Sequence, residues 1–157
     1  MTACEQPAIS FETARAEDFE ALLALRIEAM RESLENIGRF DPMRARERFT
    51  AGFSPSHTRH ILLGDERIGF VAVKPQGDAL LLDHLYIRPA AQGRGIGAWV
   101  LAQVLADATA AGRAVRVGAL RGSRSNEFYQ RAGFSLVEQA EFDNYYLRTA
   151  PSRSRHV

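Results

Sequence analysis

The chain lacks several features that common protein classes require. Its single cysteine, Cys4, has no partner for an internal disulfide, so we expect a reducing, cytoplasmic environment. The formal net charge is only +1, too small for the positive field of proteins that bind nucleic acid non-specifically. No apolar run approaches the ~18 residues of a membrane span. The opening MTACEQPAIS lacks the charged start and apolar centre of a signal peptide. We therefore predict a cytoplasmic protein that binds neither nucleic acid nor membrane.

Two kinds of catalytic motif are also missing from the sequence. No group of His, Cys and acidic residues has the spacing of metal ligands. No serine or cysteine stands in a nucleophile motif. We therefore expect neither a metal cofactor nor a covalent intermediate on the protein.

The size and composition of the chain suit one domain. With 157 residues, 46% of them hydrophobic, the chain can build one substantial core. We assign that domain to residues 1–150 and expect the small, polar and basic tail, residues 151–157, to be disordered. The sequence is compatible with a homodimer but does not determine the oligomeric state.

The order of elements follows from the hydrophobic spacing. From residue 9 to residue 149 it predicts a strand, two helices, three strands, a helix, a strand, a helix and two final strands. Asp41-Pro42 predicts the start of the second helix, with Asp as N-cap and Pro in the first turn. Glycines are expected to end the other three helices, at Gly38, Gly112 and Gly133.

The stretch from Leu80 to Leu101 carries the most specific signal. An apolar run bounded by Pro89 predicts a strand, and beyond Gly97 the apolar residues recur at helical spacing. Between them lies the turn Gln92-Gly93-Arg94-Gly95-Ile96-Gly97. Glycines at a helix N-terminus let backbone N–H groups approach an anion, and the helix dipole favours negative charge there. The sequence therefore predicts a phosphate-binding loop.

The glycine spacing selects among phosphate-binding loops. A dinucleotide fold needs G-x-G-x-x-G, and a P-loop needs Gly-Lys-Ser/Thr, whereas the only lysine is Lys74, one strand away. The turn instead fits Gln/Arg-x-x-Gly-x-Gly/Ala. It resembles the pyrophosphate signature of the GNAT acyltransferase superfamily, whose members bind acetyl-CoA. The preceding HLYIRP and the later NEFYQRAGF stand in that family's order, and the resemblance covers roughly residues 9–149.

The resemblance implies a fold and a co-substrate. The fold is α+β with three layers: a mixed, mostly antiparallel sheet of about seven strands, flanked by about four helices. In the family, the strands matching Ala79–Arg88 and Val115–Leu120 start paired and then splay apart, and the pantetheine arm bonds to strand backbone in the notch. The co-substrate is acetyl-CoA. The implied cofactor-binding residues are Leu85, Ile87, Gln92, Gly93, Arg94, Gly95, Ile96, Gly97, Ala98 and Asn126.

Acetyl transfer from a thioester to an amine needs an acid for the thiolate and a donor for the carbonyl oxygen. The resemblance places Tyr129 beside the cofactor sulfur, where a phenol with a pKa near ~10 stays protonated and can donate. Packing against Phe128 is the alternative role. The carbonyl donor is implied to be a backbone N–H at or next to Ile87. Asn126 departs from the family's usual position, so it either reaches the cofactor or opens the helix.

The reaction also needs a base for the amine proton, and Asp83 is the candidate. Alternation along the strand puts Asp83 on the same face as Leu85 and Ile87. Some relatives carry a glutamate where this chain has Leu81, so that base is absent here. An ordinary salt-bridged aspartate is the equal alternative for Asp83. His84 points to the other face and is expected in the core.

The acceptor site is implied to lie against residues 26–41, with Met30, Leu34 and Phe40 lining it. Carboxylates on this segment would attract a cationic amine, although on an amphipathic helix such residues usually form the solvated face. We predict an N-acetyltransferase that moves the acetyl group directly from acetyl-CoA to the amine of a small molecule. The alternatives are an acetyltransferase of protein or peptide N-termini and a non-catalytic acyl-CoA-binding sensor.

Overall fold

A computed structural model of the chain describes residues 8–36 and 38–150, in the predicted order of elements. Seven strands form one open mixed sheet: β1 (Ile9–Thr13), β2 (Thr58–Leu63), β3 (Glu66–Gln76), β4 (Ala79–Ile87), β5 (Val115–Leu120), β6 (Ser135–Gln139) and β7 (Asp143–Arg148). The four α-helices are α1 (Phe19–Asn36), α2 (Pro42–Gly52), α3 (Ile96–Ala110) and α4 (Ser125–Arg131). Cys4 and the predicted tail at 151–157 lie outside the described residues.

The sheet is mixed and mostly antiparallel, as predicted. Its strand order is β1-β2-β3-β4-β5-β7-β6. The pairs β1–β2, β2–β3, β5–β7 and β6–β7 are antiparallel. β4 and β5 are parallel, with Leu80–Leu82 paired to Val115–Val117. β5 continues along β7 for three more residues, Gly118–Leu120. A parallel ladder this short agrees with the predicted splaying of the central strand pair.

The described residues divide into two compact units. The first unit holds the residues up to Ala72 together with His84–Gly97. The second unit holds Val73–Asp83 and the residues from Ala98 onward. The long strands β3 and β4 contribute residues to both. The single domain expected for residues 1–150 stays a prediction.

Local sequence signals set the helix ends as predicted. Asp41 caps α2, because its side chain accepts hydrogen bonds from the amides of Met43 and Arg44 at 3.0 and 3.4 Å. Helices α1, α3 and α4 each end in a Schellman motif, with a glycine at positive φ. The N–H of this glycine donates to the carbonyl three residues earlier, and the N–H of the next residue donates to the carbonyl five residues before it. The bonds are Gly38–Glu35 with Arg39–Leu34, Gly112–Thr109 with Arg113–Ala108, and Gly133–Gln130 with Phe134–Tyr129.

An aromatic cluster forms the core of the first unit. Its centre is Phe49 on α2, which is 2% exposed. The Phe49 ring centroid lies 5.3–6.0 Å from four others, those of Phe19, Phe53, Phe70 and His84. Aromatic pairs at these separations add roughly 0.5–1.5 kcal/mol each beyond their buried area. His84 is therefore part of the core, as expected.

In the second unit, α3 buries the residues whose spacing predicted a helix. Its buried side chains are Val100, Leu101, Val104, Leu105 and Ala108. On β5 burial alternates, so that one face of the strand is buried through Val115, Val117 and Ala119. Both the helical and the strand periodicity of the sequence are thus realised in this unit.

A hydrogen-bonded pair links Asp18, the residue before α1, to His60 on β2. The Asp18 side chain accepts from the backbone N–H of Arg15, and its Oδ2 lies 2.9 Å from His60 Nε2. Arg67 Nη1 lies 3.6 Å from the other carboxylate oxygen. The hydrogen bond with His60, the amide of Arg15 and these nearby charges hold the pKa of Asp18 below its ordinary value of 3.8. No sequence pattern predicts this pairing across 42 residues.

This lowered pKa predicts a loss of stability in acid. A carboxyl whose pKa is lower in the folded state stabilises the fold above its unfolded pKa and loses that contribution as the pH falls. We expect Asp18→Asn to lower the free energy of unfolding by roughly 1–3 kcal/mol above pH ~5, and the difference to shrink as the pH falls below ~4 and through the lowered pKa of Asp18. Urea denaturation at a series of pH values measures it, with the exposed Asp65→Asn as control. A difference that does not depend on pH would contradict this role of the Asp18 charge.

Candidate active site

The glycine turn between β4 and α3 has the geometry of an anion cradle. Gly93 and Gly95 have φ values of +82° and +77°, in the left-handed region that favours glycine. A Cβ at either position would meet no protein atom within 4 Å, so the space beside both is open. Gln92, Arg94 and the two glycines are exposed, whereas Ile96 is buried and anchors the start of α3. The turn can therefore accept a ligand without losing its anchorage.

The charges around this turn favour an anion. Arg88 and Arg94 are exposed on either side of the short helical turn Pro89–Ala91. No acidic residue occurs from His84 to Ala106, and the first turn of α3 has none. The positive end of the α3 dipole is thus not offset by a nearby carboxylate in the sequence.

Gln92 ties the turn to the end of β4. Arg88 N–H donates to the Ile68 carbonyl of β3 at 2.7 Å. Since backbone groups alternate between the two edges of a strand, the N–H and C=O of Ile87 point to the other edge. At that edge Gln92 Nε2 donates to the Ile87 carbonyl at 2.8 Å. The Gln92 side chain therefore fixes the backbone of Ile87 and satisfies its acceptor.

Gly69, which was not among the predicted site residues, allows a close approach of β3 to β4 beside Ile87. A Cβ on Gly69 would collide with the Tyr86 carbonyl oxygen and lie 3.2 Å from the Ile87 Cα. The register of β2 and β3 also shifts here, between Ile61 and Leu62. A glycine inside a strand pattern marks such a bulge or close approach, so the signal was present.

The three predicted acceptor-wall residues are all half-buried in the first unit. Met30 on α1 accepts a hydrogen bond from the Tyr86 hydroxyl at its sulfur, at 3.1 Å. Phe40 lies under the guanidinium of Arg31, with 4.8 Å between its ring centroid and the Arg31 Cζ. Leu34 contributes its carbonyl to the bond that ends α1. Leu85, predicted for the cofactor, is half-buried on β4 in the same unit.

Asp83 lies in the second unit and is paired with Lys74. Its Oδ2 is 2.9 Å from the Lys74 Nζ, and the two side chains are 27% and 22% exposed. This distance is that of a direct charge-assisted hydrogen bond between the two side chains. Lys74 could not be identified from the sequence as the partner of Asp83, because the pairing depends on the β3–β4 hairpin, which brings the two residues together.

Tyr129 and Asn126 share one face of α4 in the second unit. Tyr129 is 6% exposed, and its ring meets those of Phe128 and Phe134 edge-on at centroid distances of 5.2 and 5.4 Å. Asn126 is the second residue of α4, and its side-chain amide is bonded to β5, to the turn before α4 and to β7. Ala98, also predicted for the cofactor, is exposed in the first turn of α3.

The described residues contain neither a group of metal ligands nor a helix that could span a membrane. Across residues 8–36 and 38–150, no three His, Cys, Asp or Glu side chains are grouped so that they could bind a metal ion. No helix in the same ranges combines the length and the apolar character needed to cross a bilayer.

Comparison with known families and structures relates this arrangement to one family. The model of the acetyltransferase (GNAT) domain matches residues 56–136, just over half of the 157-residue chain. The matched segment includes the whole of β2–β5, the glycine turn, α3 and α4. No curated protein sequence matches the chain.

Several solved structures share the fold. The PaiA N-acetyltransferase from Thermoplasma acidophilum, in complex with coenzyme A, is 17% identical with a TM-score of 0.74, over 90% of this chain and 99% of that one. The ribosomal-protein-S18-alanine N-acetyltransferase from Escherichia coli is 10% identical with a TM-score of 0.70, over 96% and 99%. N-acetylglutamate synthase from Neisseria gonorrhoeae, complexed with coenzyme A and N-acetyl-glutamate, is 17% identical with a TM-score of 0.66, over 94% and 36%.

Proposed function

This chain belongs to the GNAT acetyltransferase family and is an acyltransferase; we propose that it transfers an acetyl group from acetyl-CoA to the amine of a small molecule. The observation that carries the proposal is the open glycine turn at the N-terminus of α3, which contains Arg94 and follows Arg88, with no acidic residue in the sequence from His84 to Ala106. That combination suits a doubly charged pyrophosphate.

The cofactor would be held by backbone as much as by side chains. The N–H groups of Gly93–Gly97 and the first turn of α3, including Ala98, bind the pyrophosphate, and the Arg94 guanidinium adds charge-assisted hydrogen bonds. The space beside Gly93 and Gly95, which a Cβ would fill, lets the phosphates reach these amides. Gln92 keeps the turn in place through its bond to the Ile87 carbonyl.

Polarisation of the thioester carbonyl is assigned to the N–H of Ile87. This N–H points to the edge of β4 away from β3, while the carbonyl of the same residue is already satisfied by Gln92. As the amine nitrogen attacks the carbonyl carbon, the oxygen gains charge and its hydrogen bond with this N–H strengthens. The C–S bond would then break, and the Tyr129 hydroxyl would donate a proton to the leaving thiolate. The extra proton on the newly acylated nitrogen would restore the Tyr129 phenol. The products are the acetylated amine and CoA.

The amine must lose a proton, and Asp83 is the proposed base. If Asp83 takes the proton through a water, Asp83→Asn should lower kcat/KM. The exposed Asp78→Asn serves as control and should leave kcat/KM unchanged. Wild-type kcat/KM in Asp83→Asn would make Asp83 a structural ion-pair partner of Lys74 only.

The acceptor class is tested by a thiol-release assay with acetyl-CoA and a panel of polyamines, aminoglycosides, amino acids and peptides. We expect at least one class of small amine to accelerate thiol release well above the rate without acceptor. Turnover with peptides alone would favour an N-terminal acetyltransferase. Tight binding of acetyl-CoA without acceleration by any amine would favour a sensor.

A further inference from the structure

The side-chain amide of Asn126 is the centre of a hydrogen-bond network in the second unit. Its Nδ2 donates to the Leu120 carbonyl at 2.8 Å and to the Ser123 carbonyl at 2.9 Å. Its Oδ1 accepts from Asn144 Nδ2 at 2.9 Å and from the Tyr146 hydroxyl at 2.7 Å. An amide has two N–H donors and two acceptor lone pairs, and all four are used here.

The partners of this amide belong to three neighbouring segments. Leu120 ends β5, Ser123 lies in the turn before α4, and Asn144 and Tyr146 lie on β7. Asn144 and Tyr146 are 9% and 2% exposed, so their bonds to Asn126 are shielded from water. A buried network of this kind specifies one arrangement, because any rotation leaves polar groups unsatisfied. The amide therefore fixes where α4 starts.

The position of Tyr129 depends on this anchor. Helix α4 has only seven residues, too few to be stable on its own. Tyr129 lies three residues after Asn126, so both project from the same face of the helix. A rotation or slide of α4 would move the tyrosine hydroxyl directly.

We propose that Asn126 is a positioning residue, which sets the Tyr129 hydroxyl for proton donation to the thiolate and does not itself contact the cofactor. The inference rests on the proposed function, since it assigns a role through Tyr129. All four hydrogen-bonding positions of the Asn126 amide are already used, so a bond to the cofactor would require breaking one of them. This argues against a direct contact between Asn126 and the cofactor.

The first test is Asn126→Asp, which keeps the shape and the acceptors but loses both donors. We expect kcat, measured as thiol release with the most active amine of the panel, to fall roughly 10- to 100-fold with the KM for acetyl-CoA within about 2-fold of wild type. Gln130→Glu makes the same change at an exposed position of α4 and should leave both constants unchanged. A raised KM with unchanged kcat, or no kinetic change, would overturn the proposal.

The second test separates this inference from the proposed function. If Asn126 acts through Tyr129, Asn126→Asp should cause no further loss of kcat in a Tyr129→Phe background. Equal losses in both backgrounds would overturn the positioning role and leave the acetyltransferase intact. Wild-type kcat in Tyr129→Phe alone would overturn the role of Tyr129 and, with it, that of Asn126.

A third measurement needs no acceptor and covers the case in which Asn126→Asp fails to fold. Tyr146→Phe removes only one of the four bonds to the amide. With tyrosine labelled with ¹³C at the ζ carbon, the Tyr129 resonance, assigned through Tyr129→Phe, should shift in this variant while that of Tyr86 stays in place. An unmoved Tyr129 resonance would contradict the proposal.

Discussion

Replacing Gly95 by glutamate should weaken acetyl-CoA binding by roughly 100-fold or more, which is about 3 kcal/mol. The side chain would enter the open space where we place the pyrophosphate. Its carboxylate would occupy the positive end of the α3 dipole and repel the phosphates. The same carboxylate is favourable for the helix itself, so the strain of a side chain at φ +77° is partly offset and the fold should persist.

Gly112→Glu is the matched control for this variant. Gly112 has a φ of +69° and open space beside it, but it follows the C-terminus of the 15-residue α3, roughly 22 Å from the turn. It therefore carries the same backbone strain and the same added charge without touching the proposed site. Isothermal titration calorimetry with acetyl-CoA should give wild-type affinity for Gly112→Glu. Unchanged affinity in Gly95→Glu would remove the assignment of the cofactor to this turn.

The second large effect is expected for Tyr129→Phe. The change keeps the ring and its edge-on contacts with Phe128 and Phe134 and removes only the hydroxyl. Thermal stability and affinity for acetyl-CoA should therefore barely change. If the hydroxyl protonates the thiolate, kcat should fall roughly 10- to 1000-fold.

Tyr145→Phe provides the comparison for this kinetic measurement. It removes a hydroxyl from a tyrosine on β7 that is 39% exposed and has no part in the proposed site. Steady-state thiol release should be unaffected in Tyr145→Phe and strongly reduced in Tyr129→Phe. Equal rates in the two variants would return Tyr129 to a purely packing role.

Much of the fold could be predicted because its signals are local. The N-cap at Asp41 and the glycines at 38, 112 and 133 act within one helical turn, and the structure confirms each of them. The apolar periodicity of α3 and β5 likewise reappears as burial. The glycine turn could be located for the same reason, since the residues that form it are consecutive.

The remaining features depend on contacts between distant segments. The pair of Asp18 with His60 joins residues far apart in the chain, and the Lys74–Asp83 pair requires the β3–β4 hairpin. For Asn126 the sequence left two roles open, a contact with the cofactor or a role at the start of the helix. Only the structure shows that Asn144 and Tyr146 of β7 complete the hydrogen bonds of its side-chain amide. Tertiary packing decides these roles, and it cannot be predicted from the spacing of residues along the chain.

Acetyl transfer from acetyl-CoA to a small amine is tested most directly by following an isotopically labelled acetyl group. Acetyl-CoA with a ¹³C-labelled acetyl group is incubated with the protein and each class of amine, and the amine is analysed by mass spectrometry. We predict that the label appears on the nitrogen of a small amine at the rate at which CoA is released, and that Tyr129→Phe slows both together. Label that stays on CoA, or is lost to water at the enzyme-free rate with every acceptor, would contradict acetyl transfer by this chain.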